Sequence, residues 1–156
     1  LFKGDYLKIL LREINSMLPR PNKLSDFMGI PEVEIKKLAT IKITNTTKLY
    51  PRIITHELRQ QLSQESHVDY EFILRLAKLT DLSRIKWVGG KYASMLYELG
   101  VETVEKAQKT DPIKLHEQLN MLNKEKNYFK GYIGLNDVRI FVVAANDVEL
   151  EVKFES

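Results

Sequence analysis

The chain has 156 residues, and a hydrophobic content of 44% argues against wholesale disorder because it is enough for a packed core. It contains no cysteine, which excludes disulfides and thiolate metal sites and is compatible with the cytoplasmic location that we expect. The formal net charge is +3, and a bias this mild more often reflects a solvated face than a dedicated partner.

The first predicted element is a helix over residues 5–17, "DYLKILLREINSM", where apolar residues recur at helical spacing. The two prolines of "LPRPN" then end it. The mixed charges of this segment do not resemble a signal peptide, and no apolar run has the length of a membrane-spanning helix. We interpret residues 1–23 as an N-terminal helical extension.

An internal repeat follows, with an offset of 58 residues and no gaps. The segment "LSDFMGIPEVEIKKLATIKIT" (24–44) aligns with "LSRIKWVGGKYASMLYELGVET" (82–103), and the apolar positions coincide throughout. Each copy has an apolar pair three residues apart, then a turn ("MGIP" or "WVGG"), then a second helix that ends near Lys42 or Gly100. A shared pattern at a fixed offset indicates one supersecondary unit used twice.

The rest of the chain predicts further helices and one strand. Asp111 and Pro112 form a strong helix start, and helical spacing recurs in "THELRQQLSQES" and over 69–79 and 136–146. The alternation in "VELEVKF" (148–154) is typical of a half-buried strand, which residues 41–44 or another subunit would have to pair.

These residues resemble a known family. The segments 81–123, 24–50 and the linker 58–82 are similar to the bacterial family called domain of unknown function 4332, over roughly residues 24–146. The resemblance implies an all-α, SAM-domain-like fold of two helix-hairpin-helix units joined by a connecting helix. We expect the first unit and connecting helix at 24–80, the second unit at 81–146, and the strand or tail at 147–156.

Helix-hairpin-helix units in general bind DNA without sequence preference, through backbone N–H groups of a Gly-apolar-Gly hairpin. The present hairpins depart from that pattern. Trp87 occupies the first glycine position of the second copy, and Pro31 replaces the second glycine of the first copy, which removes an N–H donor. Glu32 and Glu34 add negative charge there, so we interpret the first hairpin as structural.

The second hairpin is therefore the candidate site, with DNA or RNA as its partner. Glycines let N–H groups converge on a phosphate, and the following helix start adds partial positive charge. An exposed aromatic ring would stack on a base or wedge a groove. The predicted phosphate-binding residues are Arg84, Lys86, Gly89, Gly90 and Lys91, and the predicted stacking or interface residues are Trp87 and Tyr92.

A second interpretation stays open. The glycine pair would equally serve a sharp turn between packed helices, and a lone tryptophan is more often a core or interface residue. Under this interpretation the protein is a protein-interaction or scaffolding module without nucleic-acid contact. The sequence leaves the biological process and the oligomeric state undetermined.

The chain shows no pattern of an enzyme. His56, His67 and His116 are scattered, without the spacing of a zinc helix, and there is neither a phosphate-binding P-loop nor a nucleophile elbow. We expect no catalytic residue, no metal and no cofactor.

Overall fold

The computed structural model describes residues 21–154, and the regular secondary structure of that part of the chain is helical. The helix predicted over residues 5–17 lies outside the described residues. Two short 3₁₀ turns cover Leu24–Asp26 and Tyr50–Arg52. The α-helices within the described range are α1 (Glu32–Thr40), α2 (Thr46–Leu49), α3 (His56–Ser66), α4 (Tyr70–Leu82), α5 (Gly90–Glu98), α6 (Val104–Gln108), α7 (Pro112–Lys126) and α8 (Leu135–Asn146).

Local capping explains where several helices begin. The Thr55 hydroxyl accepts a hydrogen bond from the Leu58 N–H at 3.2 Å and starts α3, and the Asp69 carboxylate caps α4. At α7 the predicted start is confirmed: Asp111 Oδ1 accepts from the Ile113 N–H at 3.1 Å, with Pro112 in the first turn. These side chains satisfy N–H groups that have no partner within a helix.

The two predicted repeats contain the same turns. Gly29 and Trp87, 58 residues apart, both have positive φ, at 80° and 70°. Lys42 and Gly100 are related by the same offset and also have positive φ, at 65° and 88°. We call residues 27–31 the first turn and residues 85–89 the second turn.

Hydrogen bonds and burial follow the same offset. The Ile43 N–H donates to the Leu38 carbonyl at 3.0 Å, and the Val101 N–H donates to the Leu96 carbonyl at 2.9 Å. These four residues are buried, and so are the paired residues that flank the turns: Leu24 with Leu82, and Phe27 with Ile85. The repeated apolar pattern thus builds the core of both halves.

The helices pack around one buried apolar cluster that extends through both repeats. Helix α4 packs against α3 and α5, while α8 packs against α6 and α7. Helix α4 ends at Leu82, so it runs through the expected boundary between residues 80 and 81. No helix between residues 21 and 154 combines the length and the apolar composition that crossing a bilayer requires.

The predicted C-terminal strand is wrong for the described residues, because 148–154 form no strand. A long-range backbone bond joins this segment to the rest, from the Lys153 N–H to the Ile54 carbonyl at 2.8 Å. Buried Arg59 donates to the Lys153 carbonyl at 2.8 Å, and Arg84 donates to the Glu149 carbonyl at 2.9 Å. Arginine side chains therefore bind two carbonyls of this segment.

Candidate nucleic-acid interface

The second turn leads directly into the first residues of α5. The Val88 N–H bonds to the Ile85 carbonyl at 3.1 Å, which closes the turn, and Gly89 precedes the helix in an extended conformation. Within residues 21–154, no backbone carbonyl accepts from the N–H groups of Gly89, Gly90 or Lys91. Since Gly89 and Lys91 are exposed, this helix start and its partial positive charge lie at the surface.

Gly90 is buried because the first repeat packs on it. A Cβ at this position would lie 2.9 Å from the Asp26 Cβ and 3.0 Å from the Asp26 carbonyl oxygen. The Ser94 hydroxyl strengthens the contact, since it accepts from the Met28 N–H at 2.9 Å and donates to the Gly90 carbonyl at 2.7 Å. The glycine is therefore required for close approach of the two repeats, and an acidic residue lies beside the helix start.

Half-buried Lys86 lies within the second turn, and exposed Lys91 follows it. Lys86 Nζ lies 4.6 Å from the centroid of the Trp87 ring, and Lys91 Nζ lies 5.2 Å from the centroid of the Phe129 ring. Neither lysine forms an ion pair with a carboxylate of the described residues. Trp87 is 72% exposed, so its indole is a surface group and not a core residue.

Arg84 is not part of this exposed group. Its Nη2 lies 2.5 Å from Asp81 Oδ1, its Nη1 donates to the Glu149 carbonyl, and its side chain is only 15% exposed. The Asp81 carboxylate also accepts from the Val104 N–H at 2.9 Å. Arg84 thus joins α4, the start of α6 and the C-terminal segment, and these bonds already occupy its guanidinium.

Tyr92 also points inward. Its ring packs edge-to-face on Phe141 with a centroid distance of 5.4 Å, and burial raises the pKa of its hydroxyl, as does the nearby Asp137 carboxylate. Of the predicted residues, the structure brings Lys86, Trp87, Gly89 and Lys91 together at the surface, and it places Arg84, Gly90 and Tyr92 in contacts that hold the fold.

The first turn has a different environment. A Cβ at Gly29 would collide with the Arg75 guanidinium, which itself lies over the Tyr97 ring at 4.7 Å. The helix that follows begins after Pro31, which has no N–H, and exposed Glu32 pairs with Lys36. This arrangement agrees with the structural role expected for the first turn.

Sequence reasoning missed a groove beside the second turn. The groove has a volume of about 1090 Å³ and lies between one face of α7 and the loop of residues 127–134 that connects α7 to α8; Lys91 lines its edge. We call it the α7 groove. Its exposed lining includes Met121, Phe129, Lys130 and Tyr132. The sequence signal was the run "NYFKGYIG", in which aromatic residues alternate with lysine and glycine.

Comparison with known proteins identifies a family to which this chain is similar. A search of the curated proteins found no match, and a search of the solved structures found none. The family model described as domain of unknown function (DUF4332) matches residues 28–148, from within the first turn to two residues past the end of α8. Since this range is well over half of the 156 residues, the chain belongs to the DUF4332 family.

Proposed function

We propose that the protein binds nucleic acid, with DNA as the first candidate, without sequence preference. Each repeat would be a helix-hairpin-helix unit, and the second would contact backbone phosphate. The observation that carries the proposal is the start of α5, where Gly89 and Lys91 are exposed, no backbone carbonyl of the described residues accepts from their N–H groups, and Lys86 and Lys91 lie nearby in sequence.

The chemistry of this surface suits a phosphate. Backbone N–H groups at a helix start and the helix dipole favour an anion, and unpaired lysines add point charges. Such contacts give affinity and register but do not read sequence, and the affinity falls steeply with salt. Trp87 would add a ring that stacks on an unpaired base or enters a minor groove.

The difference between the two turns supports the second as the contact. The first turn has Pro31 where an N–H is needed, its glycine packs on Arg75, and Glu32 lies at the helix start. The second turn has neither proline nor an acidic residue of its own. The role fits the expected cytoplasmic location, and the proposal includes no metal, cofactor or enzymatic reaction.

Fluorescence anisotropy of a labelled DNA duplex at low and high salt tests the proposal. Lys91→Glu should weaken binding at low salt, whereas Lys36→Glu, an equal charge change on exposed α1, should not. Undetectable binding by the wild type at low salt, or equal binding by wild type and Lys91→Glu, would contradict the proposal. Circular dichroism of both variants checks that they fold.

A second candidate function is a protein-interaction module. The observation in its favour is the exposure of two apolar residues one turn apart on α8, Ile140 and Val143. A pull-down from native lysate, repeated after nuclease treatment, separates the two functions. Partners lost with nuclease favour nucleic-acid binding, while partners that persist and are lost with Val143→Asp favour the module.

A further inference from the structure

The α7 groove presents aromatic and apolar side chains to solvent next to the second turn. Tyr132 is 74% exposed and Met121 is 73% exposed, while Phe129 lies beneath the Lys91 ammonium group. The groove is as large as pockets that enclose small organic ligands. Its lining therefore offers flat ring surfaces in a concave site, whereas most exposed apolar residues of a protein stand singly.

The loop that carries these rings is held by side chains of α7. Asn123 Nδ2 donates to the Gly131 carbonyl at 3.0 Å, and its Oδ1 accepts from the Phe129 N–H at 2.7 Å. One turn earlier, Asn120 makes the equivalent pair of bonds to the backbone of Ile133, at 2.9 and 2.8 Å. Two asparagines thus fix the loop at both of its ends, so the rings are positioned before any ligand arrives.

The charge of the groove selects among possible occupants. Lys91, Lys124 and Lys130 line it, against one acidic residue, Glu117. None of the three lysines pairs with a carboxylate in the part of the chain that the structure describes. Rings interleaved with unpaired lysines favour a ligand that is both anionic and flat, and unpaired nucleotides have both properties.

We infer that the α7 groove holds bases of a single-stranded nucleic acid, with Tyr132 as the stacking ring. Lys91 connects this site to the proposed phosphate contact, because its backbone lies in the first turn of α5 while its side chain lines the groove. The inference rests on the proposed function and specifies the form of the ligand. Bases inside a duplex are already stacked on one another, so this site would prefer unpaired strands.

The test uses three labelled probes in anisotropy titrations at low salt: an oligothymidine, an abasic oligonucleotide of the same length, and a duplex. The abasic probe has the phosphates of the oligothymidine without its bases. Tyr132→Ala removes an exposed ring that packs edge-to-face on His116, with the ring centroids 5.2 Å apart. Because the ring is mostly exposed, the fold should survive. Tyr132→Phe keeps the ring and is the matched control.

We expect the wild type to bind the oligothymidine more tightly than the abasic probe. Tyr132→Ala should weaken oligothymidine binding about five- to 100-fold, as loss of one stacked base does, and leave abasic binding unchanged. Tyr132→Phe should bind like the wild type.

Two different results would overturn the inference. If Lys91→Glu weakens binding but Tyr132→Ala does not, or if the oligothymidine and abasic probes bind equally, the groove assignment fails and the proposed function stands. If no probe binds, the proposed function fails, and the inference fails with it.

Discussion

Trp87 combines two properties that rarely occur together in one bulky residue. It has a φ of 70°, in a region that side chains other than glycine rarely adopt, and its indole is mostly exposed. The equivalent position in the first repeat is Gly29, which reaches a φ of 80° without that cost. Burial therefore does not compensate for the strain at Trp87.

Trp87→Gly should leave the free energy of unfolding unchanged or raise it by up to about 1.5 kcal/mol. Relief of left-handed strain contributes about 1–2 kcal/mol, and the greater freedom of glycine in the unfolded chain offsets about 0.5–1 kcal/mol. Urea unfolding measures the change. A clear loss of stability would show that the indole supports the fold, against the exposure that we describe.

Gly90→Ala should lower the free energy of unfolding by about 1–3 kcal/mol. The new methyl group would lie 2.9 Å from the Asp26 Cβ and 3.0 Å from the Asp26 carbonyl oxygen. Gly89→Ala is the matched control, since its new Cβ would have no neighbour closer than 4.0 Å. Thermal unfolding of both variants tests this difference. Equal stability of the two variants would mean that the first repeat does not pack tightly on α5.

At the scale of elements, the sequence predicts the positions of helices better than it predicts which side chains take part in tertiary contacts. Capping residues and apolar spacing are local signals, so the start of α7 and the repeated turns can be predicted from the amino-acid sequence alone. The roles of Arg84 and Tyr92 depend on which distant segments reach them, namely the C-terminal segment and α8. The α7 groove has the same origin, because it forms only when the loop folds back on its helix.

The packing of the first repeat against α5 places a carboxylate near the proposed phosphate. Asp26→Asn removes that charge and should tighten DNA binding about two- to fivefold at low salt, the size typical of one exposed charge interaction. Anisotropy titration measures the change. Glu57→Gln, at an exposed position of α3, is the control and should bind like the wild type. A weaker Asp26→Asn complex would place the phosphate elsewhere.

At the scale of the whole molecule, alkaline pH should destabilise the fold. Burial is the largest cause of the raised pKa at each of four tyrosines, and the pKa of Tyr50 rises to about 12, with a further contribution from its bond to Glu151. An acid with a raised pKa in the folded state favours folding below its unfolded pKa, near 10 for tyrosine. That contribution is lost as the pH rises from about 10 through the folded value.

Tyr92→Phe should make the alkaline loss of stability shallower. The variant keeps the ring that packs on Phe141 and removes the most buried of the shifted hydroxyls. Urea midpoints at a pH of about 8 and about 11 give the comparison, because these values lie on either side of the unfolded pKa. If the urea midpoints of wild type and variant fall by the same amount between these two pH values, burial does not raise the pKa of the Tyr92 hydroxyl in the folded protein.

The family assignment and the helical fold do not by themselves assign a function. Our proposal rests on the second turn and the α7 groove. The most direct measurement is the slope of the logarithm of DNA affinity against the logarithm of salt concentration, for wild type, Lys91→Ala and Lys36→Ala. If Lys91 contacts a phosphate, its removal should reduce the magnitude of the slope by about 0.9, while Lys36→Ala should leave it unchanged. A flat wild-type slope, or identical slopes for all three proteins, would contradict nucleic-acid binding at this turn.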